Sequence, residues 1–222
     1  ELENANGEYC GGTLAEAFAH SCNSVFAPMG VEVGAERLVE EAEQFGWNAV
    51  PGIPGAAEST IPPASEITSP LEVGSTAIGQ YKTLATTLEM ATVAQTIANG
   101  GVRLPATLAP RRGRGDGVRA VSPKVARQIT ELMTGVVAYG TGTLAAVEGV
   151  EVAGKTGTAE LGDTRGDDPE AAARDGDPSN TDAWFTAFAP ADDPRVVVSV
   201  MLVRNGSGGA TAAPAAQGVL VA

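Results

Sequence analysis

The chain has 222 residues, 43% of them hydrophobic, enough for one domain with a sizeable core. Its formal charge of −13 argues against nucleic acid as a partner, because phosphate binding needs clustered Lys and Arg. No apolar run reaches the roughly 18 residues of a membrane span, and the polar start, Glu1 to Tyr9, does not read as a signal peptide.

Thr13-x-x-Glu16 is a capping box: the Thr13 hydroxyl takes the amide of Glu16 while the Glu16 carboxylate reaches back to the cap. The helix it opens carries Leu14, Ala17 and Phe18 on one side and delivers the chain to Ser21-Cys22-Asn23. Asn23 and Ser24 are placed to cap a second short helix with Val25, Phe26 and Met29. Cys10 and Cys22 could pair in an oxidising compartment. A disulfide inside the Ser21–Asn23 turn would restrict access to it, so two free thiols are expected. His20, the one histidine, adjoins Ser21 in sequence, which points the two side chains apart; it reads as a surface or supporting residue, not as the base of a Ser-His pair.

Leu38, Val39, Ala42 and Phe45 fall at helical spacing within residues 34–45, and Gly46 ends that helix. Residues 51–70, rich in Pro, Gly and small polar side chains, are expected to be irregular and draped on the surface. Thr86-x-x-Glu89 is a further capping box, opening a helix through Met90, Val93, Ala94 and Ile97 to Asn99-Gly100; its small apolar residues suggest a buried helix behind a sheet. Residues 103–117 are a Pro, Gly and Arg connection, in which Arg111, Arg112 and Arg114 read as solvated. Ser122-Pro123 starts an amphipathic helix with Val125, Ile129, Leu132, Met133 and Val136 inward. Gly140-Thr141-Gly142-Thr143 is a loop before the next strand.

That strand is Ala153-Gly154-Lys155-Thr156-Gly157-Thr158-Ala159-Glu160. Gly154 and Gly157 would let a ligand's backbone lie against the strand edge, since no Cβ blocks it. Lys155 supplies a positive charge, and Thr156 and Thr158 supply hydroxyls on one face. One cation and two hydroxyls suit a carboxylate. Residues 162–182 hold seven acidic side chains and almost no large apolar one, so a flexible loop is expected, with no spacing that suits a metal. Two strands follow, residues 184–189 and 196–203, joined through Asp192-Asp193-Pro194. The run Val196-Val197-Val198 suggests a strand covered on both faces, and the alanine-rich residues 210–222 a helix lying on the sheet.

Ser21-x-Asn23 followed at long range by Lys155-Thr156-Gly157 makes two of the three signatures of penicillin-binding proteins and serine β-lactamases. On these residues the chain resembles the transpeptidase domain of a class B penicillin-binding protein, most like the actinobacterial ones. Ile78-Gly79-Gln80, Thr86 to Ala91 and Ile97 to Gly101 resemble that family's segment between the motifs, and Ala183-Trp184-Phe185 through Pro190 its strands after K-T-G. The resemblance implies an α+β fold of the β-lactamase/transpeptidase type, an antiparallel sheet flanked by helices. Residues 1–222 would be the C-terminal part of one such domain. The third signature, S-x-x-K, is absent: Gly79, Val121 and Val152 stand three residues before the three lysines. In the family it precedes S-x-N, so the chain reads as a fragment without its nucleophile helix and N-terminal strands, inactive by itself.

The resemblance further implies a serine acyl-enzyme that cross-links D-Ala-D-Ala stem peptides and is acylated by β-lactams, without cofactor or metal. Ser21 and Lys155 would relay a proton to the leaving amine, and Asn23 would bond the donor peptide. Thr156, Gly157 and Thr158 would form the carboxylate cradle and half of the oxyanion hole. A membrane-anchored enzyme with its catalytic domain outside the cytoplasm is implied. A serine β-lactamase, a D,D-carboxypeptidase and a non-catalytic penicillin sensor stay open as alternatives.

Overall fold

The computed structural model describes residues 10–109, 116–162, 173–174 and 176–222. Residues 111, 112 and 114, and most of the acidic stretch 162–182, lie outside the described residues, as do the expectations made for them. The described residues divide into two compact units, one within Cys22–Glu131, the other of residues 10–21 with those within Leu132–Ala222.

In the first unit come α2 (Asn23–Val33), α3 (Ala35–Phe45), α4 (Pro70–Ala77) and α5 (Thr87–Ala98), numbered after α1 (Leu14–Ala19) of the second unit. A two-residue ladder then joins β1 (Val102–Arg103) to β2 (Val118–Arg119). Cys22, not Asn23 or Ser24, occupies the cap position of α2, and the helix runs for 11 residues. Gly30 brings α2 against α4, since a Cβ there would lie 2.2 Å from the Ala77 Cβ. Ser69 and Glu72 close a capping box on α4, and Gly46, at φ 126°, ends α3 in a conformation that side chains rarely adopt.

The core of this unit is Val39, Ile61, Ile67 and Val73, with Trp47 and Ala42 partly buried against it. Residues 51–70 are irregular, as expected, but not merely superficial. Ser59, Ile61 and Ile67 are 1%, 6% and 3% exposed, and the Thr60–Leu84 bridge ties the segment down. Apolar burial, worth about 1.5–3 kcal/mol per large side chain, holds this loop where regular hydrogen bonding does not. Helix α5 packs on α3 and on β1 of its own unit.

The second unit begins with α1 (Leu14–Ala19) and is dominated by an antiparallel sheet in the order β3 (Ala153–Glu160), β4 (Thr181–Ala189), β5 (Val196–Leu202). Lys155 pairs with Thr186, Gly157 with Trp184 and Phe185 with Val200. The middle strand is the buried one: Ala183, Phe185, Ala187 and Phe188 are all fully buried. The apolar run of β5 is a sheet edge among the described residues, with Val198 buried and Val196 45% exposed, so the expected cover on both faces is not found.

A wide helical turn (Gly208–Ala212) and α7 (Ala213–Leu220) lie on β4 and β5, and Pro214 sits harmlessly in the first turn of α7. Helix α6 (Pro123–Ala138) is capped by the Ser122 hydroxyl, which accepts from Val125 N at 3.2 Å. Its buried side is Ala126, Met133, Val136 and Val137, whereas Val125, expected inward, is 39% exposed. Both cysteines are disulfide-bonded, correcting the expectation of free thiols, and Cys22 is fully buried.

Candidate active site

Ser21 reaches its place through a short, firmly capped helix. Thr13 N and Thr13 Oγ1 both donate to Glu16 Oε2, at 2.8 and 2.9 Å, and Glu16 N donates to Thr13 Oγ1, so both halves of the predicted box form. The six residues of α1 then end at His20, which is exposed, as expected. Ser21 follows at φ 57°, a left-handed conformation uncommon for a residue with a side chain and concentrated at functional sites.

In the second unit this turn meets β3. Lys155 Nζ donates to Ser21 Oγ at 2.7 Å, across 134 residues of sequence, and to the Thr156 carbonyl at 3.1 Å. The same ammonium stands 5.7 Å from the centre of the Phe18 ring, within cation–π range. Burial pushes the Lys155 pKa down from 10.5 to about 8. The side chain is half-buried, and its tip is enclosed by Ser21, Phe18 and the β3 backbone. A lysine titrating so near neutrality can hold or yield a proton in a reaction at ordinary pH.

The threonines of the K-T-G-T run are also engaged. Thr156 Oγ1 and Thr141 Oγ1 are 2.6 Å apart, and Gly208 N donates to Thr158 Oγ1 at 3.2 Å. Thr141 is held in turn by α1: its N and Oγ1 donate to the Ala19 carbonyl at 3.0 and 3.3 Å. Gly140 is required for that approach, because a Cβ there would lie 2.2 Å from the same carbonyl. Thr158 is exposed and Thr156 half-buried, so this hydroxyl face stays accessible to a ligand.

Ser21 and Lys155 are bonded directly, and Thr156 and Thr158 lie on the same strand as Lys155. Asn23 is the first residue of α2 in the first unit. The glycines need a correction. A Cβ on Gly154 would lie 2.5 Å from Phe185 Cζ, and one on Gly157 3.2 Å from Trp184 Cβ, so both are small to admit β4 side chains. Sequence reasoning missed Thr141 and Phe18. Glycines on both sides of Thr141 were the available signal, since they mark close backbone approach. Phe18 looked like an ordinary core residue on a helix face.

Among the described residues no group of three His, Cys, Asp or Glu could hold a metal, and no helix is long and apolar enough to cross a membrane. The family profile described as the penicillin binding protein transpeptidase domain matches residues 2–220. Peptidoglycan D,D-transpeptidase PbpA of Mycobacterium tuberculosis is 39% identical over 249 residues, covering 100% of this chain and 47% of that protein. The crystal structure of a D,D-transpeptidase domain from Eggerthella lenta superposes with a TM-score of 0.80 at 34% identity, over 99% of this chain and 55% of its own. A ceftriaxone acyl-enzyme complex of penicillin-binding protein A from M. tuberculosis gives a TM-score of 0.79 at 37% identity, over 99% and 51%. The chain therefore spans about half the length of the relatives it matches. Profile, identity and fold agree with the Ser21–Lys155 geometry: the chain belongs to the penicillin-binding protein transpeptidase family.

Proposed function

We propose that these 222 residues form the C-terminal part of a single transpeptidase domain. The whole protein would be a serine D,D-transpeptidase that cross-links peptidoglycan stem peptides and is acylated by β-lactams. The observation that carries this reading is the 2.7 Å bond from Lys155 Nζ to Ser21 Oγ, made by a lysine whose pKa is about 8.

Acyl transfer needs a nucleophile, a proton path to the leaving amine, an oxyanion hole and a grip on the substrate's terminal carboxylate. Lys155 passes a proton through the Ser21 hydroxyl to the departing nitrogen, with Phe18 and the Thr156 carbonyl fixing its ammonium. Thr156 and Thr158 hold the carboxylate, each hydroxyl pre-set by its bond to Thr141 or Gly208, and the Thr158 N–H contributes to the oxyanion hole. Asn23 bonds the donor peptide's amide. The nucleophile comes from an S-x-x-K outside these residues, which contain none. Stem peptides lie outside the cytoplasmic membrane, and the disulfide-bonded cysteines suit that oxidising location.

The test is labelling with a fluorescent penicillin. The full-length protein is expected to acylate, Lys155→Ala to lose the label, and the 222-residue chain alone to take none. A full-length protein that stays unlabelled would overturn the proposal.

A further inference from the structure

Three helices open with the same Ser/Thr-x-x-Glu device, and one of them is built differently. In α1 and α4 the carboxylate reaches back to the cap: Glu16 Oε2 accepts from Thr13 N at 2.8 Å, and Glu72 Oε2 from Ser69 N at 2.9 Å. In α5 the Thr86 hydroxyl accepts from Glu89 N at 3.1 Å, but the Thr86 N–H is taken by Ser59 Oγ at 2.9 Å. The Glu89 carboxylate is thereby released from the cap.

It does not turn to solvent. Glu89 is only 7% exposed, and its Oε1 is buried with no hydrogen-bond partner among the described residues. Burial raises its pKa, opposed by the charge of Arg103. The carboxyl lies against Gly46, where a Cβ would stand 2.5 Å from Oε1. An unpaired buried carboxylate is costly, and a leucine could fill the same volume without that cost. Glu89 lines a cavity of about 190 Å³ inside the first unit, with Val50, Pro51, Leu104 and Pro105 as apolar wall and Arg103 as its cation. Arg103 Nε donates to the Gln44 carbonyl at 2.9 Å, which anchors the guanidinium. Among the described residues Arg103 and Glu89 form no direct ion pair.

We propose that this cavity binds a small zwitterion, a free α-amino acid with a short side chain, its ammonium on Glu89 and its carboxylate on Arg103. A simple amine would face the guanidinium, and a simple carboxylate would face Glu89; only a molecule carrying both charges satisfies both walls. The volume of about 190 Å³ agrees, being more than ten times the roughly 10–15 Å³ that one water needs on this measure and below the roughly 300 Å³ at which drug-sized pockets begin. The site is separate from the Ser21–Lys155 cluster and does not depend on the transpeptidase reading.

The experiment is ligand-observed NMR on the full-length protein with alanine, glycine, ethylamine and acetate. Alanine and glycine are expected to bind with Kd of about 1 mM, and each single-charge half at least tenfold more weakly. Glu89→Gln should lose about tenfold in alanine affinity while keeping a cooperative melt and penicillin labelling. No binding of either amino acid, equal binding of ethylamine or acetate, or unchanged alanine binding to the folded Glu89→Gln variant would each overturn the proposal. Loss of penicillin labelling in the parent protein, with alanine binding intact, would count against the transpeptidase reading alone.

Discussion

Around Lys155, the ammonium is bonded to Ser21 and Thr156, Thr156 to Thr141, and Thr158 to Gly208. Around Glu89, Ser59 and Thr86 bond each other and Thr86 accepts from the Glu89 amide, yet a carboxylate oxygen is left buried and unpaired among the described residues. Both clusters join segments distant in sequence, and both use small hydroxyl residues at helix or strand termini. They differ in how completely they are satisfied. A fully bonded cluster holds its groups in one geometry, which acid–base chemistry needs. A cluster with a group left over stores an unmade interaction that a ligand, a proton or a substitution can exploit.

The largest effect should come from removing the centre of the satisfied cluster. Lys155→Ala is expected to cut penicillin acylation of the full-length protein by about 10²–10³-fold or more, the scale of losing a preorganised electrostatic group. A near-normal rate would break the distinction between the two clusters. Lys155 also sets a pH dependence. Its ammonium is the proton carrier and its pKa is lowered from 10.5 to about 8. Acylation should therefore decline as pH rises through about 8, not through 10.5, in a stopped-flow pH profile.

Next in size is the support of that cluster. Gly140→Ala drives a Cβ to 2.2 Å from the Ala19 carbonyl, which also receives both bonds from Thr141. The loop must shift, at a cost of about 1–3 kcal/mol in denaturant unfolding, and Thr156 should lose its oriented partner. Acylation is expected to fall along with stability. Destabilisation without loss of acylation would show that Thr141 is dispensable to the site.

The same contrast shows what a sequence reader could see. The meeting of Ser21 with Lys155 was legible because both stand in short motifs with few alternatives. The α1 box was legible because Thr13 and Glu16 need nothing beyond their own helix. The identical pattern at Thr86 and Glu89 was misread, since its outcome is set by Ser59, 27 residues upstream. Residues 51–70 were misplaced for a similar reason: Ile61 and Ile67 are isolated apolar residues without periodicity, and only tertiary packing shows that they are core. The expected double cover of β5 failed because an apolar run reports affinity for burial, not its completion. The disulfide state of Cys10 and Cys22 turned on buried geometry that the turn sequence did not reveal.

A smaller effect would sharpen the comparison through pH. Hydrogen bonds from Ser69 and Thr68 hold the Glu72 pKa down at about 2, against 4.5 in the unfolded chain. Its contribution is therefore present above pH 4.5 and lost as pH falls toward about 2. Glu89 has the opposite sign: burial raises its pKa above 4.5, so the folded state binds the extra proton and stability falls as pH rises through that raised value. Glu72→Gln should flatten the acid limb of the melting curve. Glu89→Gln should stabilise the fold at neutral pH by on the order of 1 kcal/mol, read as a higher melting temperature, and give progressively less advantage as the pH is lowered. Equal and parallel pH curves for both variants would show that the closed and open boxes are energetically alike.

The smallest effect belongs to a charge pair outside both clusters. Arg195 and Asp193 lie 3.7 Å apart in the β4–β5 turn, with side chains 74% and 80% exposed. Water screens the pair, and ordering two long side chains offsets what attraction remains, so Asp193→Ala should cost no more than about 0.5 kcal/mol. The turn keeps the backbone bond from Arg195 N to the Ala189 carbonyl at 3.0 Å, which does not involve the Asp193 side chain. Any measured loss should vanish in high salt, because exposed charges are screened there. A salt-insensitive loss matching that of Gly140→Ala would mean that the turn, and not the buried pairing around Lys155, limits the stability of the β3–β5 sheet.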